Sequence, residues 1–289
     1  MKRYPVFVFS RQVVIVALVL CPAALTMAQV SPAPTPSVTR SPVPSRDEAA
    51  RPTPSRTPAK IDLKNLTADQ VVESSILFYG YPGGRSLLDR IRKTTFERGT
   101  TSIVNAEGRT ERANYQRFVI RAESLEKDKI RVDHEFPNAR FALVFSDGRT
   151  FGIFNNTVFT PRDDAARAFQ YQIYHGLDAL LRYKENGSKV ALAAREKLLG
   201  VDYYILEITD KEERKTRFFV SSKTFRVMML TYEADGIKYR RKFYDYNYAQ
   251  GTLVPYRSVL WANEKQIEET EVGTVTFGQK VDEGLFSAS

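Results

Sequence analysis

PRDDAARAFQYQIYHGLDALLRYK, residues 161–184, decides the fold, because it is helical sequence set in the middle of strand sequence. Phe169, Ile173, Leu177, Leu180 and Leu181 recur at helical spacing and form one apolar stripe. Asp163 and Asp164 stand where a helix N-terminus favours negative charge, and Arg182 and Lys184 stand near the other end. An amphipathic helix over 162–184 needs an apolar partner for its stripe.

The flanks supply that partner as β-sheet. Before the helix come RFVIRAE (117–123), KIRVDHEF (129–136), ARFALVF (139–145) and RTFGIF (149–154). Turn-forming stretches separate them. After it come VALAAREKL (190–198), DYYILEIT (202–209), KTRFFVS (215–221) and FRVMMLTYE (225–233). IKYRRKFYDYNY (237–248), LVPYRSVLWA (253–262) and QIEETEVGTVTFG (266–278) complete the series. Tight turns such as ADG (234–236) and AQG (249–251) make consecutive strands antiparallel neighbours. The expectation is an α+β fold, mostly antiparallel: a curved, incomplete β-barrel of about eleven strands with helices over its open side. A first helix is expected from Thr67, where Thr67 and Gln70 form a capping-box pattern and Val72, Ile76 and Tyr79 follow at helical spacing. GYPGGRS (80–86) reads as its terminator and a turn; it lacks the Lys-Ser or Lys-Thr pair of a phosphate-binding loop.

Residues 1–28 read as a secretory signal peptide. Lys2, Arg3 and Arg11 are its positive end, VVIVALVL (13–20) its apolar core, and Ala28 the residue before the cut. The alternative is an uncleaved anchor, although the apolar run is short for a membrane span. Cys21 is the only cysteine, and Leu20 before it disfavours lipid attachment. Cleavage after Ala28 leaves a mature chain without disulfides, thiol chemistry or cysteine-based zinc sites. Residues 29–60 form a proline-rich linker, with eight of the fourteen prolines between Pro32 and Pro58. Large apolar residues are nearly absent there, so a disordered tether is expected. The remaining domain is 61–289.

The whole chain carries a formal charge of +9. The leader holds three of the 43 basic residues; the linker holds five more and two of the 34 acidic ones. The domain is left with 35 basic and 32 acidic residues, a net of +3. That is too mild for polyanion binding, so KYRRKFYDYNY (238–248), with its interleaved basic and aromatic residues, reads as a partly solvated strand. No nucleic-acid partner is expected. His134 and His175 lack metal-ligand spacing, and no GxSxG nucleophile motif is present. Neither an enzyme, a metal site nor a cofactor is expected. Glu268 and Glu269 read as part of a solvated strand.

Three stretches carry a resemblance to a known family: the opening helix with GYPGG after it, the late hairpin FYDYNYAQGTLVPYRSVLW (243–261), and the ending VTFGQKVDEGLFSAS, in which Phe277, Val281 and Phe286 close the chain. Over about 61–289 the pattern resembles the LolA-like family of periplasmic lipoprotein carriers and their relatives. The long proline-rich spacer departs from the carrier pattern. The resemblance implies a periplasmic, monomeric carrier of lipid or lipoprotein acyl chains, held in an apolar cavity of a half-barrel with helix 162–184 as its lid. The alternative is an envelope sensor or interaction module of the same fold that binds a protein partner. The residues expected to line cavity and lid are Phe141, Leu143, Phe145, Phe151, Ile153, Phe169, Ile173, Leu177, Leu180, Phe218, Val220, Val227, Met229 and Trp261. Val227 and Met229 are expected on one strand face, with Phe225 beside them.

Overall fold

A computed structural model describes residues 65–105 and 107–287. The described residues belong to the second of the chain's two units, Ala59–Ser289. The leader and linker readings, at 1–28 and 29–60, lie outside the described residues.

Two helices open the domain, α1 (Ala68–Tyr79) and α2 (Gly84–Ile91). Six strands follow: β1 (Thr94–Val104), β2 (Thr110–Ile120), β3 (Lys129–Phe136), β4 (Ala139–Ser146), β5 (Arg149–Phe154) and β6 (Thr157–Phe159). Helices α3 (Asp163–Tyr174) and α4 (Leu177–Leu181) interrupt the sheet. Seven more strands complete it: β7 (Lys189–Leu198), β8 (Val201–Thr209), β9 (Lys215–Ser221), β10 (Val227–Ala234), β11 (Ile237–Ala249), β12 (Thr252–Ala262) and β13 (Lys265–Phe277).

All thirteen strands form one antiparallel sheet, ordered β6-β5-β4-β3-β2-β1-β13-β12-β11-β10-β9-β8-β7. Every sequential pair is joined except β6 and β7, and the first and last strands pair with each other. The two edges of the sheet are therefore consecutive in the chain, and α3 and α4 lie between them in sequence. The sheet is open at that seam and nowhere else. Tight hairpins make this order possible. At Asp147–Gly148, Asp235–Gly236 and Gln250–Gly251 both residues have positive φ, as the favoured two-residue hairpin turns demand.

Eleven strands were expected, and β1 and β6 are the additional ones. β1, TTFERGTTSIV, is rich in threonine and charge. Its strand state rests on pairing with β2 and β13 on its two sides rather than on an apolar run. α2 follows the GYPGG turn directly and is short enough to be absorbed into it by eye. The predicted helix 162–184 is two helices, broken at Gly176, where a Cβ would stand 2.8 Å from the carbonyl oxygen of Gln172.

The main core lies under α1 and α4. Val71, Val72, Ile76 and Tyr79 of α1 and Leu180 of α4 pack with Leu206, Phe218, Val220, Val227 and Leu230 of β8–β10. A smaller core lies under α3, where Phe169 and Ile173 meet Val119, Ile130 and Phe145 of β2–β4. The capping box at α1 forms as expected: Gln70 N donates to Thr67 Oγ1 at 3.3 Å, and Thr67 N donates to Gln70 Oε1 at 2.8 Å. Thr67→Ala is expected to cost about 1 kcal/mol and to lower the Tm by roughly 2–4 °C. Thr67→Ser, which keeps the hydroxyl, is expected to melt near the wild type; thermal denaturation of the two variants checks this.

Candidate functional site

The site is the space between α3 and the sheet. α3 reaches both halves of the sheet. On one side Phe169 and Ile173 bury against Val119, Ile130 and Phe145. On the other, Tyr171 approaches Tyr232 and Tyr239, both at 6.4 Å between ring centroids. Polar contacts fasten it further. Tyr171 Oη and Arg167 Nε donate to Asp235 in the β10–β11 turn at 2.8 and 3.1 Å. Gln170 donates to Thr150 of β5 at 3.0 Å, and Gln172 to Glu268 of β13 at 2.9 Å.

The C-terminal end of α3 is held differently. His175 Nδ1 lies 2.6 Å from Thr216 Oγ1. Its ring stacks on Tyr232 with centroids 4.0 Å apart and 3° between planes. Beyond Gly176, α4 is anchored by ion pairs. Arg182 bonds Asp128 at 2.6 Å and Arg121 bonds Asp178 at 2.5 Å. Burial opposes the charge of Asp178, but Arg121, Arg92, Arg182 and Arg117 outweigh it and hold the carboxyl at about 2. α4 is thus an anchor, α3 a cover, and Gly176 the joint between them.

The fourteen expected lining residues divide into three groups. Phe145, Leu143, Phe169 and Ile173 come together under α3, and Phe141 lies on the same sheet face one pair further along, with its ring 5.4 Å from His134. Leu177, Leu180, Phe218, Val220 and Val227 belong to the filled core beneath α1 and α4. Phe151, Ile153, Met229 and Trp261 are on the opposite face of the sheet and do not line the space under α3. Phe151 and Ile153 pair with Val144 and Ala142, which alternate with Phe145 and Leu143. Met229 separates from Val227 because the ladder shifts register between them, which turns Val227 inward and Met229 outward. Trp261 pairs with Arg240, whose guanidinium lies 5.1 Å from its ring, and Lys242 lies 5.6 Å away on the same side.

Strict alternation does not hold along KYRRKFYDYNY, where it would put Tyr246 on the same face as Lys238, Arg240 and Lys242. The β11–β12 ladder passes over Asp245, which has φ 53°. Tyr246 therefore joins Tyr239 and Phe243 on the helix-covered face, where its hydroxyl donates to the Val227 carbonyl and lies 2.9 Å from Tyr79 Oη.

Sequence reasoning missed the polar floor of the space. Arg241 and Glu268 pair at 3.1 Å with about 15% of each side chain exposed (16% and 14%). Tyr115 donates to Glu97 at 2.7 Å. Burial, with Glu97 adding, pushes the Tyr115 hydroxyl well above its usual range. His134 Nδ1 is buried without a partner. Glu268 alternates with Glu269 exactly as a solvated strand would, so only the register shows that Glu268 turns inward while Glu269 pairs with Arg257 outside.

A recess of about 450 Å³ is present, but on the other face of the sheet. Its lining includes Arg98, Thr100, Asn114, Gln116, Asp133, Glu135 and Arg140. A second recess of about 20 Å³, between Tyr174, Asn186, Arg214 and Thr216, has room for a water molecule. Neither has the lining an acyl chain requires. Among the described residues, no group of three or more His, Cys, Asp or Glu is placed to hold a metal.

Burial pushes the His175 pKa down to about 4, and Arg214 adds to the effect; Asp210 opposes it. An unfolded chain titrates near 6.5, so on acidification the unfolded state takes up this proton first. Stability from neutral His175 is therefore complete above pH 6.5 and is lost between 6.5 and 4, by up to roughly 3 kcal/mol. In His175→Gln this part of the pH dependence is expected to flatten, as measured by urea unfolding at pH 7.5, 5.5 and 4.5.

No family model and no curated protein matches the sequence. Solved structures do match the fold. A DUF1329 family protein from Desulfovibrio piger is 12% identical, covers 77% of this chain and 98% of its own, and superposes with a TM-score of 0.52. A LolA superfamily protein from Nitrosomonas europaea is 11% identical with the same coverage and the same TM-score of 0.52. The superposition with these structures, together with the open antiparallel sheet, gives the described domain the LolA-like fold.

Proposed function

We propose that this domain is an exported, periplasmic carrier that binds lipid or lipoprotein acyl chains between α3 and the sheet, by displacement of α3. The observation that carries the reading is the place of α3 in the topology. It lies between the two edge strands in sequence, touches both halves of the sheet, and is joined through Gly176 to an anchored α4. Magnitudes support displacement. Phe169 and Ile173 hold α3 with about 1.5–3 kcal/mol each. The Arg167–Asp235 pair, with 50% and 53% of its side chains exposed, adds at most about 1 kcal/mol. A twelve-carbon chain buried in the same space contributes roughly 0.8 kcal/mol per methylene. An acyl chain can therefore outcompete the lid's own side chains.

A second reading, an envelope module that binds a protein partner, is favoured by an exposed apolar cluster on the far side of α1. Leu77 is 47% exposed, Tyr81 60% and Tyr248 46%, and the Tyr248 hydroxyl donates to the Phe78 carbonyl at 3.3 Å. Mass spectrometry of organic extracts separates the two readings. Lipid co-purifying with the native protein supports the carrier; a stable protein partner without lipid supports the module.

Ile173→Asp is expected to reduce uptake of an uncharged hydrophobic fluorophore at least tenfold while the far-ultraviolet circular dichroism of the sheet is retained. Uptake at the wild-type level in that variant would count against a site beneath α3.

A further inference from the structure

The wall beneath α3 changes character at one end. β2 presents Val119 to Phe169 and Ile173. On the same face, two residues before it is Arg117 and two residues after it is Arg121. Arg121 N donates to Lys93 O at 2.8 Å, which extends the β1–β2 ladder by one pair and sets Arg121 opposite Lys93, the residue after Arg92, near enough for the two guanidinium charges to interact. Arg92 is 8% exposed, and the Arg121 side chain 10%.

These cations are poorly matched. Arg121 Nη2 bonds Asp178 at 2.5 Å. Arg92 Nη2 bonds neutral acceptors, Thr252 Oγ1 at 3.3 Å and Leu253 O at 2.9 Å. Among the described residues, no carboxylate lies within ion-pair distance of Arg92 or Arg117. Glu97 faces Arg117 in the register without closing a pair, and already accepts the Tyr115 hydroxyl. Arg182 is neutralised by Asp128. Three arginines thus share two carboxylates. The Nε–H groups of both Arg92 and Arg121 are buried and donate to nothing. Burial and the proximity of Arg121 pull Arg92 down to about 10, as expected of a guanidinium short of a counter-charge.

A buried donor without an acceptor is costly, and a charged one more so. Two such donors side by side, at the end of an apolar wall, are suited to an anionic acceptor. We propose that this end of the space receives the anionic head, phosphate or carboxylate, of an amphiphile whose chain runs past Val119 beneath α3. The assignment rests on the acyl-binding reading above and adds the charge of the ligand to it.

Competition measures this directly. The full-length protein is loaded with an uncharged hydrophobic fluorophore, which is then displaced by dodecyl phosphate or by the chain-matched neutral monolauroylglycerol. Dodecyl phosphate is expected to displace it at a concentration at least tenfold lower. Arg92→Gln and Arg121→Gln are expected to cut that ratio below threefold, and Arg92→Lys, which keeps the charge, to retain most of it. Lys223→Gln, outside the cluster, is the control at the wild-type ratio. Equal displacement by the two amphiphiles of the wild-type protein overturns the proposal, and needs no variant to fold. Inorganic phosphate tests for a free anion as the occupant: if 10 mM phosphate at fixed ionic strength raises the Tm while dodecyl phosphate has no advantage over the neutral amphiphile, the amphiphile assignment is overturned. Failure of the wild type to take up the fluorophore at all defeats the acyl-binding reading, whereas uptake without preference for the anion defeats this inference alone.

Discussion

The missing ladder between β6 and β7 is the constraint on which the rest depends. An antiparallel meander whose first and last strands pair has bonded nearly all of its neighbours, and only one seam is left. Unpaired strand edges invite pairing, with each other or with another chain. Here neither edge is free to close directly, because the chain between them spends residues 160–188 on two helices. The helices that separate the two edge strands in sequence are thus the same residues that pack on the sheet's covered face. β6 is also short, at three residues, which limits the edge it offers.

The two helices share this task unequally. α4 is five residues long, yet it carries Leu180 at 0% and Leu181 at 3% exposure and sits in a lattice of buried ion pairs. Breaking such a lattice leaves uncompensated buried charge. α3 is more than twice as long, but it buries Phe169 and Ile173 as its main apolar anchors and otherwise depends on tethers at the rim. The difference in attachment, rather than any difference in helix propensity, distinguishes the firmly held helix from the lightly held one. Gly176 separates them, and its backbone leaves no room for a side chain against Gln172.

Much of this was legible in the sequence, for physical reasons. Period-two alternation and two-residue turns such as Asp235–Gly236 identify strands and their antiparallel order, and the Thr67/Gln70 box fixes the start of α1. β1 was not legible because its partners, β2 and β13, supply what its own composition lacks. Inward and outward assignments failed wherever the ladder slips. The shift after Val227 moved Met229, and the residue bypassed at Asp245 moved Tyr246. A single extra residue reverses every side chain beyond it, and no local pattern in VMML or FYDYNY announces one. Glu268 and Arg241 were missed for a related reason. They form an ion pair inside the sheet, so a pattern that reads as solvent-exposed is in fact a largely buried pair.

A permanently open apolar hollow beneath α3 is disfavoured by the energetics of empty space. A void lined by apolar side chains costs about 24 cal/mol for each Å³. A groove of roughly 300 Å³, suited to one chain, would then cost about 7 kcal/mol. That is comparable to the whole stability of a typical domain. A hollow that is permanently open and greasy is therefore a poor resting state in water. Half of the hollow is filled for good by α1, whose Val71, Val72, Ile76 and Tyr79 are fully buried or nearly so. The other half is filled by α3, which is held more lightly. Its floor is polar where Arg241 meets Glu268, an ion pair whose two partners both belong to the sheet, and Gln172 of α3 adds a hydrogen bond to Glu268. On the proposed reading, lifting α3 exposes a modest apolar strip from Val119 to Phe145 and breaks one exposed ion pair, Arg167–Asp235, so that closed and open states lie close enough in free energy for a bound chain to decide between them.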